Sequence, residues 1–96
     1  MHELKVPAQV LADPHSREVL RTWIVGDINV FIAHPGAVED PFSWGILLVD
    51  LARHVAQGYH KDGRGEFDAI LSRIKAGFDA EWEVNTNDLG VAIHKQ

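Results

Sequence analysis

Hydrophobic and polar residues alternate within residues 18–34 in a way that is typical of a β-hairpin. Two runs rich in β-branched and aromatic residues flank Gly26-Asp27, a pair suited to a two-residue hairpin turn. This turn predicts a register in which Val25 faces Ile28 and Thr22 faces Phe31. Because side chains alternate between the two faces of a sheet, the register also divides the hairpin residues into two sets.

Both faces of the predicted hairpin are apolar. The first face carries Val19, Trp23, Val25, Ile28, Val30 and Ile32. The second face carries Leu20, Ile24, Phe31 and Ala33, mixed with Thr22 and Asn29. We expect the first face to lie in the core, whereas the second is too apolar to remain uncovered in water. Either the N-terminal segment or a second copy of the chain would cover it.

A helix with almost no polar side is predicted from Pro41 to about Tyr59. Asp40 is a suitable N-cap, and a proline fits the first helical position because no N–H is needed there. The polar residues form one narrow stripe: Asp50, Arg53, His54 and Gln57. A helix this apolar must be covered on more than one side.

A second, amphipathic helix is predicted from about Glu66 to Glu83. Its apolar positions follow the 3.6-residue period: Phe67, Ile70, Leu71, Ile74, Phe78 and Trp82. The short connection predicts that it packs antiparallel on the first helix. Beyond it, Val91 and Ile93 indicate a third short strand or a tail that docks.

These elements predict a single α+β domain over residues 1–96. An antiparallel β-hairpin, with or without the third short strand, would pack on two antiparallel helices, and the helices would cover its first face. Residues 1–17 are expected to be irregular, apart from a short strand at Leu4 and Val6 and a turn of helix over residues 8–12.

Composition and charge exclude several classes of function. The formal net charge is −5 and the basic residues are scattered, so the clustered Lys and Arg of a nucleic-acid-binding surface are missing. Without cysteine, disulfides, thiolate metal sites and a cysteine nucleophile are excluded. No apolar run is long enough to suggest a membrane span, and no secretory signal is visible, which favours the cytoplasm.

The candidate chemistry in the sequence is weak. Asp50 and His54 have the i, i+4 spacing that would let them share a metal ion, or let the aspartate orient the histidine as a base. A hydrogen bond on the helix surface explains the same spacing, with Arg53 competing for the carboxylate. We therefore assign no catalytic residue, no metal ligand and no cofactor.

The three tryptophans and one arginine are the other side chains that could carry a function. Trp23 and Trp82 lie on predicted core faces, whereas Trp44 has the strongest claim to a contact with a ligand or partner. Arg21 is unusual among apolar strand residues, and we expect it to pair with a carboxylate across the sheet or to extend to an edge of the sheet.

Two stretches of the chain, residues 18–24 (EVLRTWI) and 44–56 (WGILLVDLARHVA), resemble a family of small, uncharacterised bacterial proteins, chiefly alphaproteobacterial, classed as a domain of unknown function. The resemblance covers about residues 4–82. It implies a bacterial, cytoplasmic, stand-alone domain, and it transfers no activity and no functional residue.

The absence of a strong site, together with the apolar second face, favours a non-enzymatic interaction or accessory module that self-associates. A homodimer formed through Leu20, Ile24 and Phe31 is the expected assembly, and a further protein partner stays open. The alternative is a protein, an enzyme among the options, that binds a small molecule or metal through Asp50, Arg53 and His54.

Overall fold

The computed structural model describes residues 2–84 and the backbone of residues 92–95, and it confirms an α+β fold. The described elements are α1 (Ala8–Ala12), β1 (Leu20–Val25), β2 (Ile28–Ala33), a 3₁₀ turn (Pro35–Ala37), α2 (Pro41–Lys61), α3 (Phe67–Trp82) and β3 (Ala92–Lys95). They fall into two units. One contains the residues up to Ala37 together with β3, and the other contains the two long helices.

The β-hairpin has the register predicted from its turn. β1 and β2 are antiparallel, with the pairs Leu20–Ala33, Arg21–Ile32, Thr22–Phe31, Trp23–Val30, Ile24–Asn29 and Val25–Ile28. Gly26 has a φ of +62°, and no other residue type among those described has a positive φ. A glycine with positive φ at the first central position is the requirement of a type II′ turn, whose twist matches that of the flanking strands.

A third strand completes the sheet, in the order β1-β2-β3. β3 runs parallel to β2 and places Ile93 opposite Phe31. Parallel neighbours need a crossover connection, and the segment that contains both long helices supplies it. The third strand predicted near the C-terminus is therefore present, while Val91 lies outside the described residues.

The start of α2 is determined by its capping residues. The backbone N–H of Phe42 donates to Oδ1 of Asp40 at 3.0 Å, and Pro41 occupies the first turn. This satisfies one of the N–H groups that have no partner within the helix. The helix then continues to Lys61, slightly further than the predicted end at Tyr59.

A tight connection joins α2 to α3. Gly63 and Gly65 have φ values of +72° and +136°, which side-chain-bearing residues rarely adopt. Nδ1 of His60 donates to the carbonyl oxygen of Gly65 at 2.9 Å, and the Arg64 guanidinium lies 4.6 Å from the centre of the Tyr59 ring. These contacts turn the chain back, so that α3 packs along α2.

The N-terminal segment is irregular, as predicted, except for the short helix α1. The strand expected at Leu4 and Val6 is wrong, because residues 2–7 have no regular structure. A strand requires a hydrogen-bonded neighbour, and none pairs with this segment among the described residues.

Few side chains are fully buried in the part of the chain that the structure describes. Ala37 and Ala56, 7% and 0% exposed, are the buried hydrophobic residues. On the first hairpin face, Trp23, Val30 and Ile32 are half-buried, as expected of residues near a core. Val25 and Ile28, beside the turn, are exposed, so the prediction that this face lies in the core is wrong at its tip.

Candidate interaction surfaces

The second face of the hairpin is the surface that the sequence assigned to self-association. Leu20 and Phe31 are half-buried, whereas Ile24 is 78% exposed. Thr22 lies between Leu20 and Ile24 on β1 and pairs with Phe31. The register therefore places the three predicted residues on one face, with Ile24 as the most exposed of them.

The N-terminal segment borders this face without burying it. A groove runs between the segment and the hairpin, and its apolar lining includes Leu4, Val6, Val10, Leu20, Ile24 and Phe31. All three N-terminal members of that set are themselves exposed. The N-terminal segment, one of the two candidates expected to cover this face, thus forms one side of the groove. It does not bury Ile24.

Arg21 ties the N-terminal segment to β1. Its guanidinium pairs with Glu3 at 3.0 Å and with Glu18 at 3.6 Å, and it lies 5.1 Å from the centre of the Trp23 ring. Arg21 thus pairs with carboxylates, as predicted, but neither of them lies across the sheet: Glu3 is in the N-terminal segment and Glu18 precedes β1. Both carboxylates are well exposed, so the pairs orient the segment and contribute little to stability.

The polar stripe on α2 carries little chemistry. Asp50 and Arg53 form an ion pair with an N–O distance of 3.6 Å, and both side chains are more than half exposed. His54 is also exposed. Within residues 2–84, no three His, Asp or Glu side chains are grouped so that they could hold a metal ion.

A shallow apolar recess lies on the first three turns of α2. Its lining consists of Pro41, Phe42, Gly45, Ile46 and Val49 together with the polar residues Asp50 and Arg53. His54 is not part of it. The structure thus brings two members of the predicted polar stripe to a recess whose remaining lining is apolar, and the other two members, His54 and Gln57, are not part of that lining.

Trp82 differs from its predicted role, whereas Trp23 is half-buried as predicted. Trp82 is 74% exposed, so its assignment to the core is wrong. Its ring stacks on Phe78, with centroids 5.5 Å apart, at the end of α3. Trp44 is half-buried, and its contact with a ligand or partner stays a prediction. The 3.6-residue period correctly identified the apolar side of α3. It carries no information on which residues of that side are buried.

Sequence reasoning also missed Phe42, Ile46 and Val49 as surface residues. All three are exposed in the structure, on the side of α2 that lines the recess. The available signal was the near absence of a polar side on this helix. It indicated that more than one side of the helix needs to be buried, but not which side is exposed.

None of the described helices is long and apolar enough to span a membrane.

Comparisons with known proteins identify a family but no activity. The sequence matches the family described as "Domain of unknown function (DUF5076)" over residues 3–86. A solved structure of a "putative pyruvate dehydrogenase" from the photosynthetic bacterium Rhodopseudomonas palustrus CGA009 is 34% identical, with a TM-score of 0.72. That similarity covers 88% of this chain and 85% of the other. No curated protein matches the sequence.

Proposed function

The chain belongs to the DUF5076 family, a domain of unknown function, and we propose that it is a non-enzymatic accessory module of the bacterial cytoplasm that associates with a second copy of itself. The observation that carries this proposal is the exposure of its apolar residues. No large side chain among the described residues is fully buried. A chain that leaves so much apolar surface in water gains free energy by covering it with another protein surface.

The second hairpin face is the proposed contact between copies. Full burial of an isoleucine side chain stabilises by roughly 1.5–3 kcal/mol. Because Ile24 is 78% exposed, most of that free energy is still available to an assembly. Leu20 and Phe31 extend the same face, and a two-fold axis would bring both copies of the face together in a homodimer.

The alternative of a small-molecule or metal-binding site has less support. Its three residues are exposed on α2, and the two that approach each other do so as an ordinary i, i+3 ion pair. A ligand site is expected to be concave with converging polar groups, whereas Asp50 and Arg53 line an open recess and pair with each other.

Ile24→Asp tests the proposed contact, and Val25→Asp is its matched control. Both substitutions put a carboxylate in place of an exposed β-branched residue on β1, but neighbouring residues point to opposite faces. Light scattering after size exclusion should return about twice 10.7 kDa for the wild type and for Val25→Asp. Ile24→Asp should run as a monomer with an unchanged far-ultraviolet circular dichroism spectrum.

Leu20→Asp and Phe31→Asp should act in the same direction, although both residues are half-buried and their loss also weakens the fold. A wild-type protein that stays at 10.7 kDa over a hundredfold range of concentration would refute self-association altogether. Dissociation by Val25→Asp but not by Ile24→Asp would place the contact on the other face.

A further inference from the structure

β1 lies at an edge of the sheet. The strand order is β1-β2-β3, so among the described strands β2 has a neighbour on both sides and β1 on one side only. An edge strand presents a row of backbone N–H and C=O groups that can pair with another strand, and natural proteins protect such edges with prolines, charges or bulges. β1 contains no proline, pairs with β2 without a bulge and carries one charged residue, Arg21.

The hairpin register determines which backbone groups of β1 point to that edge. The N–H of His34 donates to the carbonyl oxygen of Val19 at 2.9 Å, which marks these two residues as a hydrogen-bonded pair. Hydrogen-bonded and non-hydrogen-bonded pairs alternate along an antiparallel ladder, so the backbone groups of Leu20, Thr22 and Ile24 point away from β2. We call them the outward groups of β1. No backbone hydrogen bond from elsewhere in the described part of the chain reaches them.

The groove between the N-terminal segment and the hairpin follows this edge. Its lining includes every residue of β1 from Leu20 to Ile24, on both faces of the strand, but from β2 it includes Asn29 and Phe31 alone. An ion pair between Glu3 and Arg21, both exposed, ties the segment on the other side of the groove to β1. Because exposed ion pairs contribute little to stability, this tie does not bar a strand from the edge.

We propose that the edge of β1 pairs antiparallel with β1 of a second copy, with the two-fold axis at Thr22. Two three-stranded sheets then join into one. In this register Thr22 faces Thr22 of the second copy, and Leu20 faces Ile24. The inference rests on the proposed self-association, and it specifies how the second hairpin faces of two copies meet: side by side in one continuous sheet.

β1 is complementary to itself in this register. The residues that carry the outward groups face one another, so each pair can exchange two hydrogen bonds, and any other register leaves some outward groups without a partner. On the second face, Leu20 lies beside the exposed Ile24 of the other copy, and the two Thr22 hydroxyls can hydrogen-bond. On the first face, Arg21 lies opposite Trp23, so no like charges face each other.

The alternative occupants of this edge match it less well. The N-terminal segment lies beside β1 without regular structure, and Pro7 lacks the N–H that a ladder requires. β3 already pairs with β2 and lies at the opposite edge of the sheet. Pairing β1 with β3 of another copy would extend the sheet without closing it, whereas pairing β1 with β1 closes a two-fold dimer.

Amide hydrogen exchange, followed by NMR on the whole protein at rising concentration, tests the pairing residue by residue. The amides of Arg21 and Trp23 donate to β2, so they should exchange slowly in the monomer and in the dimer alike. The amides among the outward groups should exchange fast in dilute protein and at least about tenfold more slowly once the copies associate. Packing of side chains face to face would not produce this alternation along β1.

Thr22→Pro tests the same contact, and Thr22→Ala is its matched control. Both variants lack the Thr22 hydroxyl, but proline also removes the central outward N–H, whereas alanine keeps it. Neither variant removes a hydrogen bond between β1 and β2, and proline is tolerated on an edge strand where the N–H faces solvent. Sedimentation over a range of concentrations should give Thr22→Pro a dissociation constant at least about tenfold above that of Thr22→Ala.

The outcomes separate this inference from the proposed function. Outward amides that exchange no more slowly on association, with equal dissociation constants for the two variants, would overturn the edge pairing and leave self-association in place. Outward amides that exchange slowly at every concentration, and fast after deletion of residues 1–6, would also overturn it, because the N-terminal segment of the same chain would then occupy the edge. A wild type that is monomeric at every concentration would overturn both. If Thr22→Pro does not fold, the exchange measurement on the wild type decides.

Discussion

Gly65→Ala should destabilise the protein by forcing a side chain onto a backbone that rejects it. Gly65 has a φ of +136°, outside the region that residues with a Cβ normally adopt. The added Cβ would also lie 3.3 Å from both Cδ1 and Cγ1 of Ile70, closer than an ordinary van der Waals contact. Holding a residue in such a conformation costs of order 1–3 kcal/mol.

Gly58→Ala is the control with the opposite sign. This glycine lies inside α2 with open space around its Cβ position. Alanine should therefore stabilise the helix by roughly 0.5–1 kcal/mol, because it reduces the conformational entropy of the unfolded chain. The two variants should differ by about 1.5–4 kcal/mol, within a total stability of roughly 5–15 kcal/mol for a domain of this size.

Thermal unfolding followed by circular dichroism at 222 nm measures the difference. Each kcal/mol shifts the melting temperature of a domain of this size by about 4–8 °C, so Gly65→Ala should melt at least several degrees below the wild type and Gly58→Ala slightly above it. All samples need the same protein concentration, because self-association raises the melting temperature by mass action. A Gly65→Ala protein that melts with the wild type would show that the connection between α2 and α3 is not held at this φ.

Two further predictions concern α2. Asp40→Ala removes the acceptor of the 3.0 Å hydrogen bond from the Phe42 N–H and should lower the free energy of unfolding by about 1 kcal/mol. Urea denaturation measures this loss. An unchanged midpoint of the urea transition would mean that water fully replaces the cap. Ala56→Leu enlarges a side chain that is 0% exposed and should lower the free energy of unfolding by about 1–3 kcal/mol, measured in the same way. A leucine variant as stable as the wild type would show that the helices separate easily at that point.

The sequence predicted the local features of this protein closely. The turn at Gly26-Asp27 determined the whole register of the hairpin, because a two-residue turn leaves each strand residue only one partner. Asp40 and Pro41 located the start of α2 for a similar reason: the cap and the first turn lie within a few residues of each other. Such features depend on hydrogen bonds and backbone sterics between neighbours in the chain.

The candidate surfaces were predicted only in part. Hairpin alternation correctly placed Leu20, Ile24 and Phe31 on one face, but it could not rank their exposure, since that depends on where the N-terminal segment lies. The exposure of Phe42 on α2 and of Phe78 and Trp82 on α3 was not predicted. Trp82 follows the same 3.6-residue period as Ile74, and the period alone treats both as core.

The sequence by itself thus determined which residues of the hairpin pair, where α2 starts and which side of α3 is apolar. The tertiary structure decided which parts of those apolar sides are covered. Burial depends on whether another segment, distant in the chain, comes within van der Waals contact, and no local pattern encodes that distance. On one side of α2, Ala56 is therefore buried and Val49 is exposed, and the difference between them is a property of the packed helices.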